Sequence, residues 1–410
     1  MKALLQSIIV VIFLLTVFSC PSGYAANLSP DCPCYASINK IALAYQNDRK
    51  FRFLIDMAFE DMRQLPEGYR EGGNPWIGKG FADLTRFMQE WCTFLPLAKG
   101  SSDDGLRYIE QMDFFAYNNP LGRIAFQTSP GRELFRQFAV ERGAFLDRPA
   151  STQCVEKWLE DPRIEKQDYA LPDPNSPDGG FKSYNEFFSR SLKNQAETRP
   201  QTMPALDYII AAPTDALMNS IPVRIVDAKT RLRTKGTQEL NIEQLLDGSG
   251  HWRKFVGGTA LSCILMPNTY HRYHAPVSGR VIETRLVEGA LLGMEDFPGF
   301  VPRSGNVGYD GADFSAFENY RRGYFIIDTG KYGLVAVVPV GLSTVGSVIF
   351  EDRFLKATGP VAVTRGDELG HFLYGGSLVI LVFEPGRYQS DAIQVRLGNQ
   401  IGTFDTNVNE

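Results

Sequence analysis

Three features of this chain predict an α+β protein, with a helical N-terminal domain followed by a β-rich, mostly antiparallel domain. Up to Leu159, apolar residues recur at offsets of three and four, the period of a helix with one buried face. From Ala205 onward the pattern changes to short β-branched runs parted by turn residues. Between the two lies Leu171 to Gly180, Leu-Pro-Asp-Pro-Asn-Ser-Pro-Asp-Gly-Gly, a cluster of turn formers that reads as a linker. The expected organisation is an N-terminal signal over 1–26, a helical domain over 27–170, a linker over 171–180 and a second domain over 181–410.

At the N-terminus, Lys2 precedes an apolar stretch from Ile8 to Phe18, and small residues follow at Gly23, Ala25 and Ala26. That layout is a secretory signal cleaved after Ala25 or Ala26, which predicts an exported, periplasmic or membrane-associated protein. Val17-Phe18-Ser19-Cys20 offers a rival reading, a loose lipoprotein box with Cys20 as the lipidated residue.

The helices come next. Phe51, Leu54, Ile55, Ala58, Phe59 and Met62 form one stripe, with Asp48 as a cap and Pro66 as a stop. Phe81, Leu84, Met88, Trp91 and Leu95 repeat it. Ser129-Pro130 predicts a capped start for a third helix ending near Gly143, and Ser151 a cap for a short helix carrying Val155, Trp158 and Leu159. After the linker, Ser183-x-x-Glu186 is a capping-box signature ahead of Phe187, Phe188 and Leu192.

The strand candidates are Ile221 to Val226, Gly279 to Val287, Tyr324 to Asp328, Leu334 to Val340, Ser347 to Phe350 and Val379 to Phe383. Composition is ordinary for a globular chain: 410 residues, 44 % hydrophobic, 22 % charged and a formal net charge of −5. The mild acidity argues against a nucleic-acid partner, which calls for clustered Lys and Arg. Six cysteines are present, and Cys32-Pro33-Cys34 lacks the spacing of a zinc or redox Cys-x-x-Cys pair, so the cysteines read as structural.

Two stretches could carry chemistry. Gly375-Gly376-Ser377 reads by itself as a tight turn or bulge ahead of an apolar strand. Tyr270-His271-Arg272-Tyr273-His274 holds two of the four histidines. Pro276 and Gly279 follow too closely for a long helix, and no Glu follows His271, so a metal site of the His-Glu-x-x-His kind is not expected.

Taken together and in order, four stretches resemble the phosphatidylserine decarboxylase family of pyruvoyl enzymes. They are Phe181-Lys182-Ser183-Tyr184-Asn185-Glu186-Phe187-Phe188-Ser189-Arg190 with Arg199-Pro200; Tyr270 through Gly279; Val337-Val338-Pro339-Val340-Gly341 through Val345-Gly346-Ser347-Val348; and Gly370-His371-Phe372-Leu373-Tyr374-Gly375-Gly376-Ser377. The resemblance implies self-processing. Ser377 attacks the carbonyl of Gly376, the chain is cut between them, and the new chain starts with a pyruvoyl group made from Ser377. His274 is implied as the base, Asp215 (in Ala212-Pro213-Thr214-Asp215-Ala216) as its orienting carboxylate, and His271 as the residue that serves the substrate. The substrate amine then condenses with the pyruvoyl ketone to a Schiff base, and carbon dioxide leaves without bound metal, nucleotide or pyridoxal.

The chain departs from the family at three places: Asp215-Ala216 where Asp-Gly is usual, Pro276-Val277-Ser278-Gly279 where Pro-Val-Asp-Gly is frequent, and Leu378 where a hydroxyl residue usually follows the serine. The resemblance implies phosphatidylserine as substrate and phosphatidylethanolamine as product, with a membrane surface and a homodimer of cleaved protomers as expected partners. A rival substrate is a free aromatic amino acid such as tryptophan, because the helical first half resembles that of members related to tryptophan decarboxylases, as at Gly143, Ser151-Thr152 and Trp158-Leu159. A third reading is a non-catalytic exported binding module on the same fold.

Overall fold

Each face of one central sheet is covered by a different layer, and the strand sequences show why. A computed structural model describes residues 32–62, 74–96, 103–116, 119–218, 223–224, 241–292, 319–342 and 347–389. The expected signal, Cys20, Pro66 and the Val345-Gly346 step lie outside them. Eleven helices are described: α1 Tyr35–Asn47, α2 Arg49–Asp61, α3 Phe81–Thr93, α4 Asp103–Ala116, α5 Pro120–Gln127, α6 Gly131–Leu146, α7 Val155–Leu159, α8 Tyr184–Phe188, α9 Gln195–Thr198, α10 Ile242–Leu245 and α11 Asp352–Leu355. The strands are β1 Leu217–Met218, β2 Val223–Arg224, β3 Thr259–Leu265, β4 Arg272–His274, β5 Gly279–Val287, β6 Arg322–Asp328, β7 Leu334–Leu342, β8 Val348–Phe350, β9 Val361–Val363, β10 Glu368–Phe372 and β11 Gly376–Phe383. The α+β expectation holds.

An eight-stranded sheet runs β1-β3-β11-β7-β6-β5-β9, with β2 also on β3, and a three-stranded sheet runs β4-β10-β8. Every pairing between these strands is antiparallel. Along β11, Leu378, Ile380 and Val382 join the core shared with the helices, while Val379, Leu381 and Phe383 join the core shared with the small sheet. The strand is therefore buried on both faces and reads as an unbroken apolar run. Full burial of each such side chain contributes roughly 1.5–3 kcal/mol.

The helix α2 has the predicted stripe and cap, with the Asp48 carboxylate accepting from the amides of Lys50 and Phe51. Two expected caps are corrected. Pro130, not Ser129, occupies the cap position of α6, and the helix continues past Gly143 to Leu146. The Ser151 hydroxyl caps nothing in α7; it donates to the carbonyls of Leu146 and Arg148 and accepts from the amide of Tyr184. It thereby staples the first half to α8. Ser183 does cap α8, but that helix ends at Phe188, before Leu192.

A third core joins the two halves across 171–180: Phe145, Trp158, Tyr184, Phe187, Tyr270 and Tyr374 all belong to it. Cys34 and Cys92 form a disulfide that ties the start of α1 to α3, while Cys154 and Cys263 are buried free thiols. No helix among the described residues is long and apolar enough to cross a membrane.

Candidate active site

The last turn before β11 is where the separate stretches meet. Strand β10 ends at Phe372, Leu373 to Gly375 cross over, and β11 begins at Gly376. Gly375 has φ 154°, a value that side-chain-bearing residues resist. Ser377 then lies between two partner strands, opposite Leu265 of β3 and Gly341 of β7. The residue is 2 % exposed, yet Oγ has no hydrogen-bond partner among the described residues. Buried hydroxyls normally find one, so this orphan asks for an explanation. Leu378 points the other way, into the helix-side core. The departure at that position is thus a packing residue rather than a lost neighbour of the Ser377 hydroxyl.

The two histidines of the run sit on β4 or just before it, and both are buried. The Nδ1–H of His271 donates to the Thr269 carbonyl at 2.9 Å, and its ring lies on Phe188 with centroids 3.7 Å apart. Since a carbonyl only accepts, Nδ1 carries the proton and Nε2 keeps its lone pair. Burial, then the nearby Arg190 cation, pushes the His271 pKa down to about 3. Its main-chain carbonyl accepts from the amide of Phe372, which places it beside the segment leading to Ser377.

His274 is held at both nitrogens: Nδ1–H donates to the Gly366 carbonyl at 2.8 Å, and Nε2 accepts from the Tyr270 hydroxyl at 3.0 Å. Burial lowers its pKa, opposed by the Gly366 carbonyl. The His274 amide also donates to Pro213, which brings in the Pro213-Thr214-Asp215 segment.

The expected hydrogen-bonded relay of Asp215, His274 and Ser377 is not formed. Asp215 instead takes a forked pair of bonds from Arg199, Nε at 2.9 Å and Nη2 at 2.7 Å, and Arg199 reaches on to Asp168 at 2.7 Å. The physical reason is that a planar guanidinium matches a carboxylate in two parallel bonds, which a single imidazole N–H cannot outcompete. Asp215 acts on His274 only through its charge, which favours the protonated ring. Neither histidine of the run belongs to the grouping of potential metal ligands found among the described residues, Glu351, Glu368 and His371.

Several participants had no role assigned from the sequence. Tyr270 stood inside the histidine run, Arg199 in the Arg-Pro pair and Asn185 in the aromatic motif. The Asn185 side-chain oxygen accepts from the Tyr374 amide at 3.2 Å, while its nitrogen donates to Asp147 at 2.9 Å. Arg142 had a visible signal. It follows Phe135 and Phe138 and precedes Leu146 on the buried stripe of α6, where a charged residue is out of place.

The family model for phosphatidylserine decarboxylase matches residues 184–403. Phosphatidylserine decarboxylase proenzyme 2 of Oryza sativa subsp. japonica is 32 % identical over 276 residues, covering 67 % of this chain and 40 % of that protein. Proenzyme 3 of Schizosaccharomyces pombe is 30 % identical over 282 residues, 66 % of this chain and 26 % of the relative. The proenzyme of Fusobacterium nucleatum subsp. nucleatum is 26 % identical over 280 residues, 68 % of this chain and 82 % of the relative. The chain thus spans well under half the length of the first two relatives and most of the third. It belongs to the phosphatidylserine decarboxylase family.

Proposed function

We propose that the chain is the precursor of a self-processing, pyruvoyl-dependent decarboxylase that converts phosphatidylserine to phosphatidylethanolamine and carbon dioxide. The observation that carries this reading is the orphaned Ser377 hydroxyl, buried without a partner among the described residues at the second position of β11, just after the turn at Gly375. A serine that must attack its own preceding carbonyl gains nothing from a competing hydrogen bond. The glycine before it leaves the Gly376 carbonyl open to approach. These residues fit a pyruvoyl group made from Ser377, which supplies an electron sink for loss of carbon dioxide.

The remaining roles follow from the atoms available. His274 is the base for Ser377: neutral at Nε2, fixed by Gly366 at Nδ1, and made more basic by the Asp215 charge. For that role the Tyr270 hydroxyl, which holds the Nε2 lone pair, must release it or pass the proton on. Asp215, steadied by Arg199, tunes His274 from a distance. His271, neutral and with Nε2 unbonded among the described residues, handles a proton on the substrate. Export, an encounter with a membrane surface and assembly of cleaved protomers into a homodimer belong to the same proposal, supported by the N-terminal pattern and the family relationship.

Denaturing electrophoresis with mass spectrometry tests it. The purified chain should yield a fragment from residue 377 to 410 with a blocked, pyruvoyl-type N-terminus, and Ser377→Ala should abolish the split. An intact wild-type chain sinks the reading. Carbon dioxide release from phosphatidylserine and from tryptophan then separates the two substrate classes.

A further inference from the structure

Arg142 is the most conspicuous polar residue outside the roles assigned above. It is entirely buried, and neither Nε nor Nη1 has a hydrogen-bond partner among the described residues. Its one bond is from Nη2 to the Phe94 carbonyl at 3.2 Å. The guanidinium lies 5.5 Å from the centre of the Tyr374 ring. Tyr184 packs on that ring too, with centroids 5.3 Å apart, and its buried hydroxyl has no hydrogen-bond partner among the described residues. A cation stripped of water with two idle nitrogens is costly, and ring contact compensates it only in part. Such a site calls for an anion, and the sequence offers one two residues beyond Tyr374 at a defined moment.

Cleavage creates that anion. Ser377 Oγ adds to the Gly376 carbonyl carbon and the bond from that carbon to the Ser377 nitrogen breaks, leaving an ester and a free amine. Loss of the Ser377 α-proton expels the Gly376 carboxylate as the Oγ–Cβ bond breaks, leaving a dehydroalanine. Water then replaces its nitrogen, and ammonia departs as the pyruvoyl group forms. The new carboxylate sits two residues beyond Tyr374, a reach of roughly 7 Å of extended chain.

We propose that Arg142, with the Tyr184 hydroxyl, is the receiving site for the carboxylate that cleavage creates on Gly376. The arginine is idle in the precursor because its partner does not yet exist, and the pairing clamps the new chain end once it does. This inference rests on the self-processing reading and assigns to the helical first half a part in it.

Thermal unfolding of the full chain tests it. Arg142→Met and Arg142→Lys are each made alone and together with Ser377→Ala, which keeps the chain uncut. In the uncut background Arg142→Met should melt at the same temperature or higher, since an unpaired buried charge is removed. In the cleaved protein it should melt lower by on the order of 5 °C, with Arg142→Lys recovering part of the loss. A folded Arg142→Met chain that fails to cleave, with cleavage restored by Arg142→Lys, also supports the assignment. Equal losses in both backgrounds overturn it in favour of a packing role. A raised KM for phosphatidylserine with unchanged melting of the cleaved protein overturns it in favour of substrate binding. An intact wild-type chain overturns the functional reading itself, and is seen on the gel before any melting is done.

Discussion

Lowering the pH from about 7.5 to about 5 should destabilise the uncut Ser377→Ala chain through histidines that the fold keeps neutral. Burial pushes His271 down to about 3 and His371 to about 4, each from an ordinary value of 6.5. A histidine whose folded pKa lies below its unfolded value takes up its proton first in the unfolded chain. Stability is therefore full above about 6.5 and falls as the pH drops towards the folded value. At about pH 5 the gap from 6.5 is about 1.5 units, so each of the two histidines costs about 2 kcal/mol at about 1.4 kcal/mol per unit. The pair together costs about 4 kcal/mol, and His274 shifts in the same direction. Glu351 works against them: burial and the neighbouring Glu368 carboxylate raise its pKa, so acid relieves it. Urea unfolding at the two pH values measures the loss, and His271→Gln should remove about half of it. Equal stability at both pH values, or a loss untouched by His271→Gln, would refute the reasoning.

Two further predictions follow from single contacts. Tyr270→Phe removes the hydroxyl that holds His274 Nε2 and leaves that buried nitrogen unpaired, so the uncut chain should lose about 1–3 kcal/mol by urea unfolding. The same change should alter the rate of Ser377 processing in a time course on gels, because it frees the lone pair of the proposed base. Cys92→Ala opens the bond to Cys34, which spans a sequence separation of 58. Chain-entropy reasoning puts the loss at about 4 kcal/mol, which urea unfolding of the oxidised Cys92→Ala and wild-type proteins side by side should show.

Much of the frame was legible because its signals are local. The run from Gly279 to Val287 is β5 residue for residue, and α2 carries its predicted stripe and its Asp48 cap. The strands β1, β3, β4, β9 and β10 fall outside the strand candidates of the sequence. The strand β3 runs through Ala260 and Ser262, which interrupt its apolar β-branched pattern and whose places come from pairing with β11. At β10, a register shift between Glu368 and Gly370 breaks the alternation that would have marked it. Ser151 looked like a helix cap because local hydrogen bonding is all a sequence shows, yet its hydroxyl serves Tyr184, 33 residues away.

The candidate site divides the same way. Resemblance to the family is what points to Gly376, Ser377, His271, His274 and Asp215, since its motifs are contiguous stretches that can be matched in order. Who pairs with whom did not follow, because hydrogen-bond partners are chosen among groups brought together by folding. Asp215 meets Arg199 rather than His274, and His274 meets Gly366 and Tyr270. The Ser377 hydroxyl is left with no partner among the described residues. An arginine on the apolar stripe of a helix is a sequence fact, but only the packing of α6 brings its guanidinium to 5.5 Å from the ring of Tyr374, two residues before Gly376.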